Sequence, residues 1–534
     1  MKRWIVLPLL LLFVSSLGCG PQQQARVLLP SPVRFEDGTP VDAGEESRLS
    51  ALRDTADGSR FLGSTDTLLD YSSWIIPGDE NVKELIDRDF LLSQTTVENG
   101  DTLVSISHAG AFVRLELSGI PDGLRIDRIE LAPLSGTLVE AAYLDPVSLR
   151  TVPALETACK ALPVPPVSGP LVLWMALPPQ DLATTALLVH GPEETLWSAR
   201  LPEVSLQSGI AVRWDAACVP STPPGAGMTA RPLPQTLLQR IQPGEYSGIT
   251  RLGEDRYAVV SDDLRGGGIL HFTIPVRDNG TVGRVTMQVP QGTETATGQP
   301  RDCEDVAYNP FTGTLYVPSE THQEILEYDE EGNWTGTAFR IPEDLSRDHI
   351  VRNRGFESLT FHPATERFWT LTEAPLKEDH FLPRTLRLQS FDKDGEPAER
   401  YFYQMDPPQM TGEEADSAEA YVFGVSALEA LEDGRLVILE REIYVPGGGL
   451  WNKLKNSFTR ADLFLVDPLG DPAGLLRKTP LCSFRTGALN LANYEGLCLG
   501  PAIPGGQTLL LIADSQNGRG LNREYVKVIL LEKP

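Results

Sequence analysis

From residue 101 onward, apolar and polar positions alternate with period two, the pattern of strands with one buried face. TLVSISHAGAFVRLELSGI (102–120) reads as two short strands around Ala109-Gly110. LRIDRIELAP, GPLVLWMALPP, TTALLVHGP, ETLWSARLP and GIAVRWDAA follow, separated by Gly and Pro. Short strands punctuated in this way predict a β-sandwich over 27–217. Residues 20–100 give weaker signals. PSTPPGAG (220–227) then carries Pro and Gly at a density that cannot continue a ladder, and it predicts a semi-rigid linker over 218–240.

The second half repeats itself. EYSGITRLGEDRYAVVSDD, DCEDVAYNPFTGTLYVPSET, GFESLTFHPATERFWTLTEA, FGVSALEALEDGRLVILERE and NYEGLCLGPAIPGGQTLLLIADSQ share one plan. Each is a polar residue, a short apolar strand, a turn, a second apolar strand and a terminal acid. The polar positions Ser247, Glu304, Glu357, Ser426 and Glu495 fall 53–69 residues apart. Further strands follow each unit, such as GGILHFTIPV, GNWTGTAFRIP and ADLFLVDP. Multi-stranded repeats of this length predict a β-propeller over 241–534 with five or six blades. The last unit is one strand short, and QTLLQRIQ (235–242) is the candidate to supply it and remove the free edge. The expected fold class is therefore all-β: an N-terminal sandwich followed by a propeller.

Lys2 and Arg3 precede an apolar run, IVLPLLLLFV (5–14), too short to span a bilayer as a mature helix. Small residues then lead to Cys19. This is the layout of a lipoprotein signal over 1–19, with lipidation at Cys19 and GPQQQ as a tether. It predicts an envelope lipoprotein of a bacterial outer membrane, facing the periplasm or the exterior and held to the membrane by its lipid anchor. A net charge of −27 excludes nucleic acid as a partner, since phosphate backbones are bound by clustered Lys and Arg. Cys159, Cys218, Cys303, Cys482 and Cys498 remain; five is odd, so one at least stays free, and Cys159 and Cys218 are close enough in sequence to pair.

The N-terminal strands, through VLWMALPPQDLATTALLVHG followed by LQSGIAVRWDA, resemble fimbrillin-like domains of bacterial envelope proteins. The C-terminal repeats resemble the phytase-like, or "esterase-like activity of phytase", propeller family. That resemblance rests on SGI (247–249), SDD (261–263), RDCEDVAY (301–308), NRGFESLTF (353–361), GVSALEALEDGRLVILERE (424–442) and NYEGL with LLLIADSQN (493–517). It implies hydrolysis of phosphoesters or esters, and a small phosphorylated or ester substrate.

Equivalent positions in successive blades form a ring around a propeller's channel. Glu304, Glu357 and Glu495 head inner strands, and Glu440 and Arg441 close the fourth unit; these are the candidate catalytic residues. Asp262, Asp263, Glu320, Glu373 and Asp514 end neighbouring strands. So many carboxylates in one funnel repel each other unless cations compensate, which suits a hard cation such as Ca²⁺. Arg265, Arg354, Arg384 and His322 are the candidate substrate contacts, the arginines through bidentate bonds to phosphate. Period two puts Glu440 and Glu442 on one strand face and Arg441 on the other.

Other chemistries find no signature. There is no CxxC or HExxH metal motif, no RHGxRxP and no P-loop. GxSxG is absent, and Ser426 sits in Gly-Val-Ser-Ala-Leu, which disfavours a serine esterase. Two functions remain open: a metal-assisted phosphoester hydrolase, and a non-catalytic propeller binding a ligand or protein at the cell surface.

Overall fold

The computed structural model describes residues 25–27, 33–41, 67–70, 75–89, 91–98, 101–121, 124–144, 151–157, 160–163, 171–192, 196–221, 224, 227–234, 241–242, 244–261, 268–289, 302–377, 379, 384–470, 474–514 and 524–532. The leader and Cys19 lie outside them. With 7% helix and 56% strand the chain is all-β. Contacts divide it into two compact units, Met1–Pro220 and Ser221–Pro534.

In the first unit two five-stranded sheets share one apolar core. One holds Arg34–Phe35, Ile210–Ala217, Ala111–Ser118, Leu171–Leu177 and Ile75–Pro77. The other holds Lys160–Pro163, Arg128–Pro133, Thr185–His190, Leu196–Leu201 and Val219–Pro220. Val113, Leu115, Leu173 and Trp214 of the first meet Ile129, Leu131, Leu187 and Trp197 of the second. These are the inward positions that alternation marks. The first sheet is mixed, because Ile210–Ala217 runs parallel to Ala111–Ser118. A short helix, Val82–Arg88, ends just before buried Asp89, whose carboxylate holds His108 Nδ1 at 3.1 Å.

Among the described residues the second unit contains five sheets. The first is Tyr246–Gly253, Arg256–Ser261, Gly268–Thr273 and Thr286–Gln288. The second is Ala307–Asn309, Thr314–Ser319, Glu324–Tyr328 and Trp334–Ala338. The third is Phe356–His362, Arg367–Thr372, Thr385–Phe391 and Pro397–Gln404, with Leu475–Leu476 added in parallel. The fourth is Ala420–Ala430, Leu436–Val445, Phe458–Val466 and Lys478–Gly487. The fifth is Asn493–Ile503, Gly506–Asp514, Val526–Glu532 and Thr229–Pro232. Each is built from antiparallel hairpins whose turns the sequence dictates. Between the first two strands of the fourth, for instance, Gly434 takes φ 89°, the left-handed conformation that glycine adopts without strain. The opening strands touch in succession, first to second through fourth to fifth, and the fifth touches the first.

Two sequence expectations change here. The strand completing the last sheet is Thr229–Pro232, which pairs with Val526–Glu532, and not QTLLQRIQ, of which residues 235–240 lie outside the described residues. The Pro/Gly-rich segment is also more than a linker. Val219–Pro220 joins a sheet of the first unit and Thr229–Pro232 a sheet of the second. Pro is tolerated at both because each strand lies on a sheet edge. Cys218, Cys303, Cys482 and Cys498 are free thiols, and Cys159 lies outside the described residues.

Candidate functional site

A β-bulge interrupts the opening strand at the polar position of four of the repeats. The register shifts between Tyr246 and Gly248, Phe356 and Ser358, Val425 and Ala427, and Tyr494 and Gly496. Ser247, Glu357, Ser426 and Glu495 are thus the extra residues. A bulge adds one residue to one strand and re-aims its side chain. In the second sheet Glu304 precedes the opening strand, pinned by Glu304 N–H to Pro318 O at 3.3 Å and by the Cys303–Ser319 bridge.

Arg441 is the hub. On strand Leu436–Val445 it faces away from Glu440 and Glu442, as period two requires. It is 3% exposed. Its Nη1 donates to Asn493 Oδ1 at 2.6 Å and to Glu495 Oε1 at 2.5 Å. Its Nη2 donates to Glu373 Oε1 at 3.0 Å and to Glu357 Oε1 at 3.3 Å. Arg354, part-exposed, donates to the other Glu373 oxygen at 2.5 Å. Close packing of neighbouring sheets makes this convergence possible. A Cβ on Gly424, the register partner of Arg441, would stand 2.6 Å from Glu373 O and Cγ, so only glycine fits.

The acids outnumber the cations here, and their protonation shows it. Burial pushes the Glu357 carboxyl well above its ordinary range, and Glu373 adds to that, while Arg441 opposes it. Burial likewise raises Glu495 against the pull of Arg441. Glu320 is pushed up to about 7 by burial and by the nearby charges of Asp302 and Glu373, against the Gly355 N–H that donates to it at 2.9 Å. Burial opposes the charge of Arg441 itself, but Glu495, Glu373 and Glu357 hold it firmly protonated. Oxygens of Glu320, Glu357 and Glu373 can lie within 4.8 Å of one another, as can those of Asp302, Glu304 and Glu320. All-oxygen donor sets of this kind suit a hard divalent cation.

The remaining sequence candidates are placed as follows. Glu440 points to the opposite face, where Tyr403 OH and Lys478 Nζ donate to it at 2.6 Å and Asp406 N–H at 3.0 Å. That is a structural setting among strands of the third and fourth sheets. Arg384 has φ 61° and donates to Met405 O at 3.3 Å, bracing its own sheet. His322 Nδ1 lies 3.3 Å from Ser319 Oγ in the turn after Thr314–Ser319. Asp514 is the register partner of Asn493. Asp262, Asp263 and Arg265 lie outside the described residues.

Sequence reasoning missed four residues. Asp302 and Gln323 border the cluster: Thr321 Oγ1 donates to Asp302 at 3.0 Å, and Gln323 Oε1 accepts the Phe356 N–H at 3.3 Å. Buried Asp305 and half-buried Glu429 are tethers between sheets. Asp305 takes the Leu359 N–H at 2.8 Å and the Val306 N–H at 2.8 Å. Glu429 takes Thr360 Oγ1 at 2.8 Å and the Leu499 N–H at 2.8 Å. Asp305 stands directly after Glu304 in RDCEDVAY, and the adjacent acid drew the attention.

Residues 241–516 match the family described as phytase-like, "Esterase-like activity of phytase". No curated protein sequence matches the chain. Among solved structures, the chain is similar to a putative cell adhesion protein from Bacteroides ovatus, at 18% identity and TM-score 0.21, covering 28% of this chain and 59% of that one. It is also similar to a putative 6-phosphogluconolactonase from Bacteroides uniformis, at 13% identity and TM-score 0.25, covering 73% and 91%. A third is the catalytic domain of the Coprinopsis cinerea GH62 α-L-arabinofuranosidase, at 13% identity and TM-score 0.31, covering 57% and 96%.

Proposed function

Since the chain belongs to the phytase-like, "esterase-like activity of phytase" family, we propose that its second unit is a five-bladed propeller that hydrolyses phosphoesters outside the cytoplasm with the help of a divalent cation. The blade count is supported by five sheets whose opening strands touch in a closed succession. The hydrolytic reading is carried by one observation: bulged and strand-end carboxylates from the third and fifth sheets converge on Arg441, and Glu320 from the second sheet lies beside two of them.

In this reading Glu320, Glu357 and Glu373 hold the cation. When bound, it would polarise a phosphoryl oxygen and lower the pKa of a coordinated water. Both terminal nitrogens of Arg441 are already given to Glu357, Glu373, Glu495 and Asn493. It fixes those groups at the positions from which they act. Arg354 keeps an exposed end beside Glu373 and is the guanidinium best placed to meet a substrate phosphate. The protein would act as an outer-membrane lipoprotein anchored through Cys19.

The commitment of Arg441 to carboxylates also favours a second reading, in which the unit binds a ligand or protein at the cell surface without turnover. A panel of phosphomonoesters, phosphodiesters and carboxyl esters separates the two, assayed on the full chain with Ca²⁺ and with chelator. Turnover of a phosphoester that chelator abolishes is the expected result. A folded protein that turns over none of them leaves the binding reading.

A further inference from the structure

Glu320 belongs to two carboxylate sets at once. One of its oxygens lies within 4.8 Å of oxygens of Glu357 and Glu373, and one lies within 4.8 Å of oxygens of Asp302 and Glu304. The second set is held together by backbone as well as by side chains. Glu320 N–H donates to Asp302 O at 3.2 Å, and Glu304 N–H donates to Pro318 O at 3.3 Å. Asp302 and Glu320 therefore sit on neighbouring chain segments, and Thr321 Oγ1 orients the Asp302 carboxylate.

A crowd of acids does not by itself call for a ligand, but two buried donors here do. Gln323 is 5% exposed, and its Nε2 has no hydrogen-bond partner. It packs beside Glu320: a Cβ on Gly355 would collide with that amide and stand 3.0 Å from Glu320 Cγ. Arg441 Nε, inside the cluster, is also without a partner. Leaving a buried donor unpaired is costly, so acceptor oxygens that are not part of the chain belong in this space. Cation-bound waters or a bound oxyanion would supply them.

We propose that Asp302, Glu304 and Glu320 form a second divalent-cation site, with Glu320 as the carboxylate bridging it to the Glu320–Glu357–Glu373 site. The cluster then takes a pair of hard cations, such as Ca²⁺ or Mn²⁺. Carboxylates suit this role, since each offers two oxygens and Gly355 N–H occupies only one lone pair of Glu320 Oε1. Two adjacent cations clamp opposite oxygens of one phosphoryl group, so the pair would favour a substrate presenting a terminal or bridging phosphate. The proposal rests on the cation-dependent reading only for the location of the first ion, and ester turnover forms no part of its test.

The test is titration of the chelator-stripped full chain with Mn²⁺, read by calorimetry and by electron paramagnetic resonance. Two ions per chain and an exchange-coupled spectrum at full loading are expected. Asp302→Asn should retain one ion with an isolated-ion spectrum, and Glu320→Gln should lose the coupling and weaken both ions. If Asp302→Asn does not fold, as judged by circular dichroism, Thr321→Val should weaken the second ion alone. A single ion in the unaltered chain, two ions without coupling, or coupling that survives Glu320→Gln would overturn the proposal. Two coupled ions with no ester turned over would leave it standing while the hydrolytic reading fell.

Discussion

Two groups of buried and half-buried acids in the second unit do opposite things. Asp305 gives its oxygens to the backbone N–H groups of Val306 and Leu359, and Glu429 to the Thr360 hydroxyl and the Leu499 N–H. Glu357, Glu373 and Glu495 point instead at each other and share one arginine. The first group is satisfied by the chain. The second is left crowded, with Glu357 pushed well above its ordinary range by burial and by Glu373. The contrast shows how to separate scaffold from site when both are buried carboxylates: ask whether the chain supplies the partners. Glu304 and Asp305 are sequence neighbours, yet Asp305 is a tether and Glu304 belongs to a cation-ready set.

The largest effect should come from removing the shared partner. Arg441→Ala leaves Glu357 and Glu495 without a cation and Glu373 with Arg354 alone, and should cost about 3–5 kcal/mol in urea unfolding. Millimolar Ca²⁺ should recover part of that loss, because a cation can stand in for the guanidinium. Asp305→Ala should cost about 4 kcal/mol by stranding two buried N–H groups, and Ca²⁺ should recover none of it. Equal rescue of both variants would erase the distinction between the groups.

Glu429 gives a pH signature. Burial pushes its carboxyl up to about 7 from the ordinary 4.5. The folded state thus binds the proton more tightly than the unfolded state. The stability from that proton is complete below about pH 4.5, falls as pH rises, and is gone above about pH 7. The whole span is worth roughly 3 kcal/mol at most. Glu429→Gln cannot titrate, so unfolding free energies measured across this window should lose that share of their slope. An unchanged slope would show that Glu429 titrates as it does in the unfolded chain.

The smallest change in stability belongs to the crowded group. Glu357→Gln removes one of several repelling charges and should shift stability by about 1 kcal/mol or less. A loss as large as that of Asp305→Ala would make Glu357 scaffold.

The repeats were legible because strand alternation and terminal acids survive loop insertions. The polar head of each repeat was legible too, but its geometry was not. Four heads are bulged residues, and a bulge depends on the partner strand, which a single segment does not reveal. The closing strand was misplaced for a related reason. TARP ends in Pro and looks like part of the linker, and its strand character comes only from pairing with the distant Val526–Glu532. QTLLQRIQ carries the more strand-like local pattern, and its residues 235–240 lie outside the described residues. Arg441 could be assigned a face by period two, but not its partners, which lie 52–84 residues away in sequence. Glu440 ends the fourth repeat as other acids end theirs, but strand alternation sends it to Tyr403 and Lys478 instead.

Ca²⁺-dependent melting of the full chain tests most directly whether the crowded carboxylates form a cation site. A ligand that binds only the folded state raises its melting temperature. The unaltered chain should melt several degrees higher in Ca²⁺ than in chelator, Glu429→Gln should keep that rise, and Glu357→Gln should lose most of it. No rise in the unaltered chain, or a rise that Glu357→Gln leaves intact, would contradict the assignment of these glutamates to a cation.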